Sequence, residues 1–252
     1  MRRVQKETKA ANMKLRAENI TKTFGGILAL TKVSFEVSTG EVIGLVGPNG
    51  SGKTTLFNVI AGTYPPSQGR ILLDTKDITN SPPWLRARLG ISRTYQVPRP
   101  LHELSVLENV LVPLCLAKGL PLGMFSESRA EELLSLVGLE SKASAPTHHL
   151  SLIELKRLEL ARALALDPKF LLLDEVFSGL SPSEVESAYN LVESVARSGI
   201  GVVVVEHNMR LVMRLCKRIV ALSFGQKIAE GTPHEVASHP EVIKAYLGEE
   251  YA

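Results

Sequence analysis

The chain has 252 residues, 44% of them hydrophobic and 22% charged, with a formal net charge of +3 at pH 7. This composition suits one compact globular unit with a buried core. Lys and Arg are interleaved with Asp and Glu, so the charge balance gives no reason to expect a nucleic-acid partner. Cys115 and Cys216 lie far apart, with no CxxC and no metal-ligand spacing, and read as buried free thiols in a reducing compartment.

Residues 1–13 are polar and basic, and no apolar core with a small-residue cleavage site follows them. They are expected to form a disordered leader on a chain that stays in the cytoplasm. From Leu15 to Val46, short apolar runs rich in β-branched residues are separated by Gly25-Gly26 and Thr39-Gly40, the pattern of strands joined by turns. Val42-Ile-Gly-Leu-Val46 is a continuous apolar run, a glycine-rich loop follows it, and Thr54 to Ala61 reads as a helix. Residues Gly69 to Ile78 read as another strand and turn, and Ser81-Pro82-Pro83 opens a helix at Trp84, since proline suits a first helical turn.

Between Val97 and Ala165 the composition shifts to leucine, glutamate and arginine at helical spacing, which predicts a helical lobe (97–165) inserted into an α/β core (14–96 and 166–252). Its most apolar stretch, Val110 to Phe125, is broken by Pro113, Lys118, Gly119 and Pro121 and is too short to span a bilayer, so any membrane role must come through a partner. Phe170-Leu-Leu-Leu173 and Gly201-Val-Val-Val-Val205 lack alternation, as do strands of a parallel sheet buried on both faces. Ser183 to Arg197 and Met209 to Lys217 fit crossover helices. The expected fold class is α/β with a mostly parallel sheet.

Three groups of residues carry chemistry. Gly47-Pro48-Asn49-Gly50-Ser51-Gly52-Lys53-Thr54-Thr55 matches GxxxxGK[ST] between a strand and a helix. A chance match is a roughly one-in-a-hundred event at average residue frequencies. In such a loop, backbone N–H groups curl around phosphate oxygens, Lys53 neutralises the β and γ phosphates and Thr54 coordinates Mg²⁺; ATP with Mg²⁺ is the expected ligand. Asp174 and Glu175 follow the Phe170 run at the carboxyl edge of the sheet, where ligands of open α/β sheets collect. Asp174 suits a metal contact through water and Glu175 the polarising of an attacking water, although such a pair also occurs as a solvated strand end. His207 ends the Val202 run at the same edge, placed either to touch a γ-phosphate or simply to cap a strand. Gln96 is a polar candidate for metal or water contact, or an ordinary surface residue.

Taken in order from about Leu15, these elements resemble the ATP-binding subunit of ABC transporters. The resemblance implies a P-loop NTPase core with an antiparallel β subdomain and an inserted helical subdomain. It also implies that Phe24 stacks on adenine, Gln96 is the Q-loop glutamine, Phe170 to Glu175 the Walker B strand, Ser178 to Ser181 the D-loop and His207 the switch histidine. Phe24-Gly-Gly, Gln96-Val-Pro-Arg-Pro, Leu104-Ser-Val-Leu-Glu-Asn-Val110, Glu206-His-Asn-Met209, Ile228-Ala-Glu-Gly-Thr-Pro233 and Ala245-Tyr-Leu-Gly248 are similar to branched-chain amino-acid importers, relatives of which also handle urea and amides. On this resemblance the chain is a transport-coupled ATPase, peripheral on the inner face of the membrane. Its expected partners are a second ABC ATPase subunit, membrane permease subunits and, indirectly, a solute-binding protein.

The signature departs from the family. Leu-Ser-Gly-Gly-Gln is replaced by Leu150-Ser151-Leu152-Ile153-Glu154, which keeps Ser151 for the opposite subunit's γ-phosphate but fills both glycine positions with bulky side chains. Either Ile153 obstructs that contact or the helix start turns it aside. Val176 replaces the proline that usually follows the catalytic carboxylate, and Ser181 stands near the usual D-loop acid or amide. A weakly hydrolytic or non-hydrolytic regulatory subunit and a non-transport ABC ATPase are the alternative readings.

Overall fold

The computed structural model describes residues 12–119, 127–177, 182–206 and 209–247. Two long antiparallel strands, β1 (Lys14–Phe24) and β2 (Ile27–Ser38), open the chain. The tight turn Thr39-Gly40 leads into β3 (Val42–Val46), and the glycine loop then feeds α1 (Lys53–Ala61). β4 (Gln68–Leu73) and β5 (Lys76–Asp77) return to the antiparallel sheet, whose order is β2-β1-β4-β5. Met13 is tied to this framework: its N–H donates to Thr39 Oγ1 at 3.2 Å and its carbonyl accepts from Thr39 N–H at 3.0 Å. Residues 1–11 of the expected leader lie outside the described residues.

After α2 (Pro83–Arg88) and β6 (Ile91–Arg93) the chain forms α3 (Val106–Lys118), α4 (Glu127–Leu136) and α5 (Leu152–Leu164), which pack on one another. It then runs through β7 (Phe170–Asp174), α6 (Pro182–Arg197), β8 (Gly201–Val205), α7 (Met209–Leu215), β9 (Arg218–Ser223) and β10 (Gln226–Gly231), and ends in α8 (Pro233–Ala237) and α9 (Pro240–Leu247). The second sheet has the order β10-β9-β3-β8-β7-β6, parallel except for the β10 edge.

The uninterrupted apolar runs follow from burial on both faces. Phe170 and Leu172 of β7, Val203 and Val205 of β8, and Ile43 and Leu45 of β3 enter one core with α1 and the antiparallel strands. Leu171, Leu173, Val202, Val204, Val42 and Val46 enter the other, with the helical lobe and α6 and α7. Each such side chain contributes on the order of 1.5–3 kcal/mol, so a polar residue on either face would be costly. Gly44 packs against α7 and the residue that follows it: a Cβ there would lie 2.8 Å from Val212 Cγ1 and 3.1 Å from Cys216 Sγ.

The structure differs in detail from the sequence-based expectation. α1 begins at Lys53, one residue early, because Gly52 in left-handed geometry (φ 104°) makes the break. α7 stops at Leu215 because Lys217 N–H donates to Val42 O and carries the chain into β9. β6 and β10 carry Ser, Arg, Gln, Lys and Glu among few apolar residues and are recognised through their pairing, whereas β9 contains the buried apolar run Ile219-Val-Ala-Leu222.

Candidate functional site

β3 aims the chain into the loop and α1 receives it, so the loop's shape is set by what lies behind it. A Cβ on Gly47 (φ 149°) would lie 2.2 Å from Leu222 O, and one on Gly52 would lie 2.9 Å from Ala29 O. Only glycine permits these approaches. Gly225 braces the loop: its N–H donates to Ser51 O at 3.1 Å, while its carbonyl accepts from Thr31 N–H.

Inside the loop, Lys53 Nζ donates to Gly47 O at 2.7 Å and Pro48 O at 3.0 Å, with Ser51 Oγ at 3.5 Å. Burial pushes the Lys53 ammonium below its ordinary value, and Glu175 and Asp174 pull it back up. Gly52 gives the start of α1 no side-chain cap, and no acid stands in its first turn. By contrast, α3, α5 and α8 each carry a Ser or Thr cap and a glutamate there. A helix N-terminus without an internal anion, beside a buried lysine, fits phosphate.

Around it lies a cleft of about 290 Å³ lined by Ala29, Asn49, Gly50, Gly52, Lys53, Thr54, Thr55, Gln96 and Glu175. Gln96 Nε2 donates to Glu175 Oε2 at 2.8 Å, so these two expected site residues meet directly. Glu175 has φ 50°, a left-handed geometry that is strained for a side-chain-bearing residue. Its N–H donates to Val205 O, and Lys156 Nζ from α5 donates to its carbonyl at 3.0 Å.

Asp174 sits behind the cleft at 2% exposure, its N–H donating to Thr94 Oγ1 and its Oδ2 accepting from Arg93 Nη2 at 3.3 Å. Arg93 also donates to Asn58 Oδ1 on α1 at 2.7 Å. Among the described residues no group of three or more His, Cys, Asp or Glu could hold a metal. A hard cation would therefore take the Thr54 hydroxyl, the nearby carboxylate and oxygens of the bound phosphates, a donor set that suits Mg²⁺.

Phe24 and Ser151 lie apart from this cleft. Phe24 ends β1, partly exposed, with its ring edge-on to Tyr64 at 5.3 Å. Ser151 caps α5: its hydroxyl accepts from Glu154 N–H, and Glu154 Oε2 accepts from Ser151 N–H at 2.8 Å. The two bulky residues after it part ways. Ile153 turns into a cavity of about 280 Å³ with Val137, Leu160 and Phe177, whereas Leu152 stays 62% exposed. His207 and Ser178 to Ser181 lie outside the described residues.

Arg93, Lys156 and Tyr246 were not singled out by sequence. Arg93 stands three residues before Gln96, a spacing that could have drawn notice. Nothing local marks Lys156, and Tyr246 is visible in the sequence only within Ala245-Tyr-Leu-Gly248, without a role in the site. The Tyr246 hydroxyl accepts from Gly47 N–H at 2.8 Å.

Comparison with known proteins agrees with this geometry. The ABC transporter family profile matches residues 30–178, and a profile described as branched-chain amino acid ATP-binding cassette transporter matches residues 226–252. The chain is 38% identical to the lipopolysaccharide export system ATP-binding protein LptB of Acidithiobacillus ferridurans, over 94% of this chain and 98% of that one. It is 36% identical to the high-affinity branched-chain amino acid transport ATP-binding protein LivG of Salmonella typhimurium, over 90% and 94%. The crystal structure of MJ1267, an ATP-binding cassette in its ADP conformation, superposes with a TM-score of 0.82 at 35% identity, covering 94% of this chain and 99% of that one. Cassettes of this kind dimerise, as one solved after hydrolysis with ADP and phosphate does, and they work with membrane permease subunits. No described helix is long and apolar enough to cross a membrane. With its phosphate loop, Gln96 and Glu175 in one cleft and Asp174 behind it, and with these matches along its length, the chain belongs to the ABC transporter ATP-binding subunits and hydrolyses ATP with Mg²⁺.

Proposed function

We propose that this ATPase powers import of branched-chain amino acids or related small polar solutes such as urea and amides. It would act from the cytoplasmic face on permease subunits fed by a solute-binding protein. The observation that carries this reading is the match of residues 226–252 to the branched-chain cassette profile. The 38% identity to LptB favours a second reading, a cassette that drives lipid export. Deleting the gene in its host and measuring uptake of labelled leucine, valine and urea separates the two. Loss of uptake supports import; normal uptake with a defective outer surface supports export.

In the proposed cycle, Lys53 neutralises the β and γ phosphates while the N–H groups from Gly50 to Thr55 cradle them, with Pro48 and Asn49 shaping the approach. Thr54, Asp174 and Gln96 would hold Mg²⁺, which would supply Lewis-acid polarisation of the phosphates. Glu175, released from Gln96, accepts a proton from the attacking water. His207 steadies the γ-phosphate. Phe24 stacks on the base.

A groove of about 320 Å³ between α2, β6 and the helical lobe, lined among others by Trp84, Tyr95, Arg99 and Arg162, suits a helix of the permease. Through it, motion of the membrane subunits would reach Gln96. The exposed Leu152 at the signature favours pairing with a different ATPase subunit whose own signature is intact. ATP on Lys53 would then be hydrolysed, and the site closed by Ser151 would work poorly. Comparing ATPase rates of this chain alone, with its partner, and with Leu152 and Ile153 changed to glycine tests the pairing; an unchanged rate in the glycine variant refutes it.

A further inference from the structure

The Gly47 peptide is gripped from two sides by residues far apart in the chain. From within the loop, Lys53 Nζ donates to its carbonyl at 2.7 Å. From outside, the Tyr246 hydroxyl, 199 residues along, accepts its N–H at 2.8 Å. The last pair between β3 and β9 is Val46 with Ala221, so the Gly47 N–H is the first donor beyond the sheet ladder. A buried N–H at such a point needs an acceptor, and α9 supplies it.

α9 is placed to do so. Val242, 4% exposed, anchors α9 in the core, and Tyr246 lies one turn further on the same helical face. The residue is 43% exposed, while its hydroxyl oxygen faces the loop. Burial raises the phenol above its ordinary value, with the Gly47 N–H opposing, so it is neutral under physiological conditions. On the far side of Gly47 a side chain is excluded, because a Cβ there would lie 2.2 Å from Leu222 O and 2.6 Å from Ser51 Oγ.

We propose that Tyr246 is a positioning residue for the phosphate loop: its hydroxyl fixes the Gly47 peptide, so that the C-terminal helix sets the affinity for nucleotide. A loop held at its first peptide is ordered before the phosphates arrive. A loop released there must be ordered by them, which weakens binding without touching the reacting atoms. Tyr246 belongs to the segment matched by the branched-chain cassette profile, so this segment acquires a role in the ATP site itself. A partner that draws α9 away from β9 and β10 would loosen the nucleotide.

The test is Tyr246→Phe in the full chain, which keeps the ring and removes only the acceptor. Expected is a rise of about tenfold in Kd for ATP and ADP, the scale of one lost hydrogen bond. Faster amide exchange across Gly47 to Ser51 should accompany it. The melting temperature should fall by no more than a few degrees, the scale of the same single bond in a chain of this size, and turnover at saturating ATP in the assembled transporter should change less than about twofold, since no reacting group is touched. A purely structural brace would lower stability and leave affinity unchanged. Wild-type nucleotide affinity in Tyr246→Phe overturns the proposal, and so does a loss of affinity that merely follows a larger fall in melting temperature. Tyr246→Ala removes ring and hydroxyl together. If it alone weakens binding, packing of α9 is responsible and the hydroxyl is not; if it fails to fold, Tyr246→Phe decides the matter.

Discussion

The buried pair Arg93–Asp174 lends itself to a quantitative test, because it joins the strand before the glutamine loop to the carboxylate assigned to Mg²⁺. Side-chain exposures of 9% and 2% mean that water does little to screen it. At 3.3 Å and an effective dielectric constant of about 20, the Coulomb attraction is about 5 kcal/mol before desolvation is counted. Charged hydrogen bonds in proteins retain about 1.5–3 kcal/mol after that offset, so a coupling energy of about 2–3 kcal/mol is expected. The single change Arg93→Met also loses the bond to Asn58 and the stacking of the guanidinium on Tyr95 at 4.6 Å, so its own cost overstates the pair. A double-mutant cycle with Asp174→Asn cancels those losses. Urea unfolding of the four proteins without nucleotide provides the energies. A coupling below about 0.5 kcal/mol would refute the view that Arg93 holds Asp174 in place.

Changing Glu175 to Gln should leave ATP affinity near wild type and lower turnover by at least about a hundredfold, the scale of a lost general base; full turnover in steady-state assays would exclude Glu175 from that role. Gly44→Ala should cost about 1–3 kcal/mol of stability, because its Cβ would meet Val212 and Cys216, both packed in the core. An unchanged urea midpoint would show that α7 shifts freely. The Glu154 carboxyl is held below its ordinary value of 4.5, first by Lys142 and then by the Ser151 backbone and hydroxyl. A folded-state value depressed in this way stabilises the protein above the unfolded value and ceases to do so as pH falls through the folded one. Glu154→Gln should therefore be less stable than wild type by under about 1 kcal/mol at neutral pH, and the gap should close well below pH 4.5. A gap that persists in acid would argue against this charge.

Much of the site was legible in the sequence for a physical reason. A phosphate loop needs its glycines, lysine and threonine contiguous, because consecutive N–H groups must converge on one ligand, so Gly47 to Thr55 could be read directly. The buried strands announced themselves in the same way: β3, β7 and β8 face a core on both sides and so consist of apolar residues. β6 and β10 gave less signal. β6 has three residues, and β10 is an edge strand with polar side chains, defined by hydrogen bonds to a neighbour rather than by its own composition. The signature raised a question that sequence could not answer, since whether Ile153 and Leu152 point inward or outward depends on what α4 and α6 leave open. The structure turns Ile153 in and leaves Leu152 out.

The sequence alone thus determined the class of the fold, the nucleotide loop and the place of Asp174 and Glu175 at the end of β7, because each is encoded in neighbouring residues. Tertiary structure decided what grips them. Arg93 reaches Asp174 across 81 residues, Gln96 meets Glu175 across 79, and Tyr246 closes on Gly47 across 199. Contacts of that length leave no periodicity in the chain. They exist only once the parallel sheet has brought the ends of β3, β6, β7 and β9 to a common edge and α9 has packed beside them.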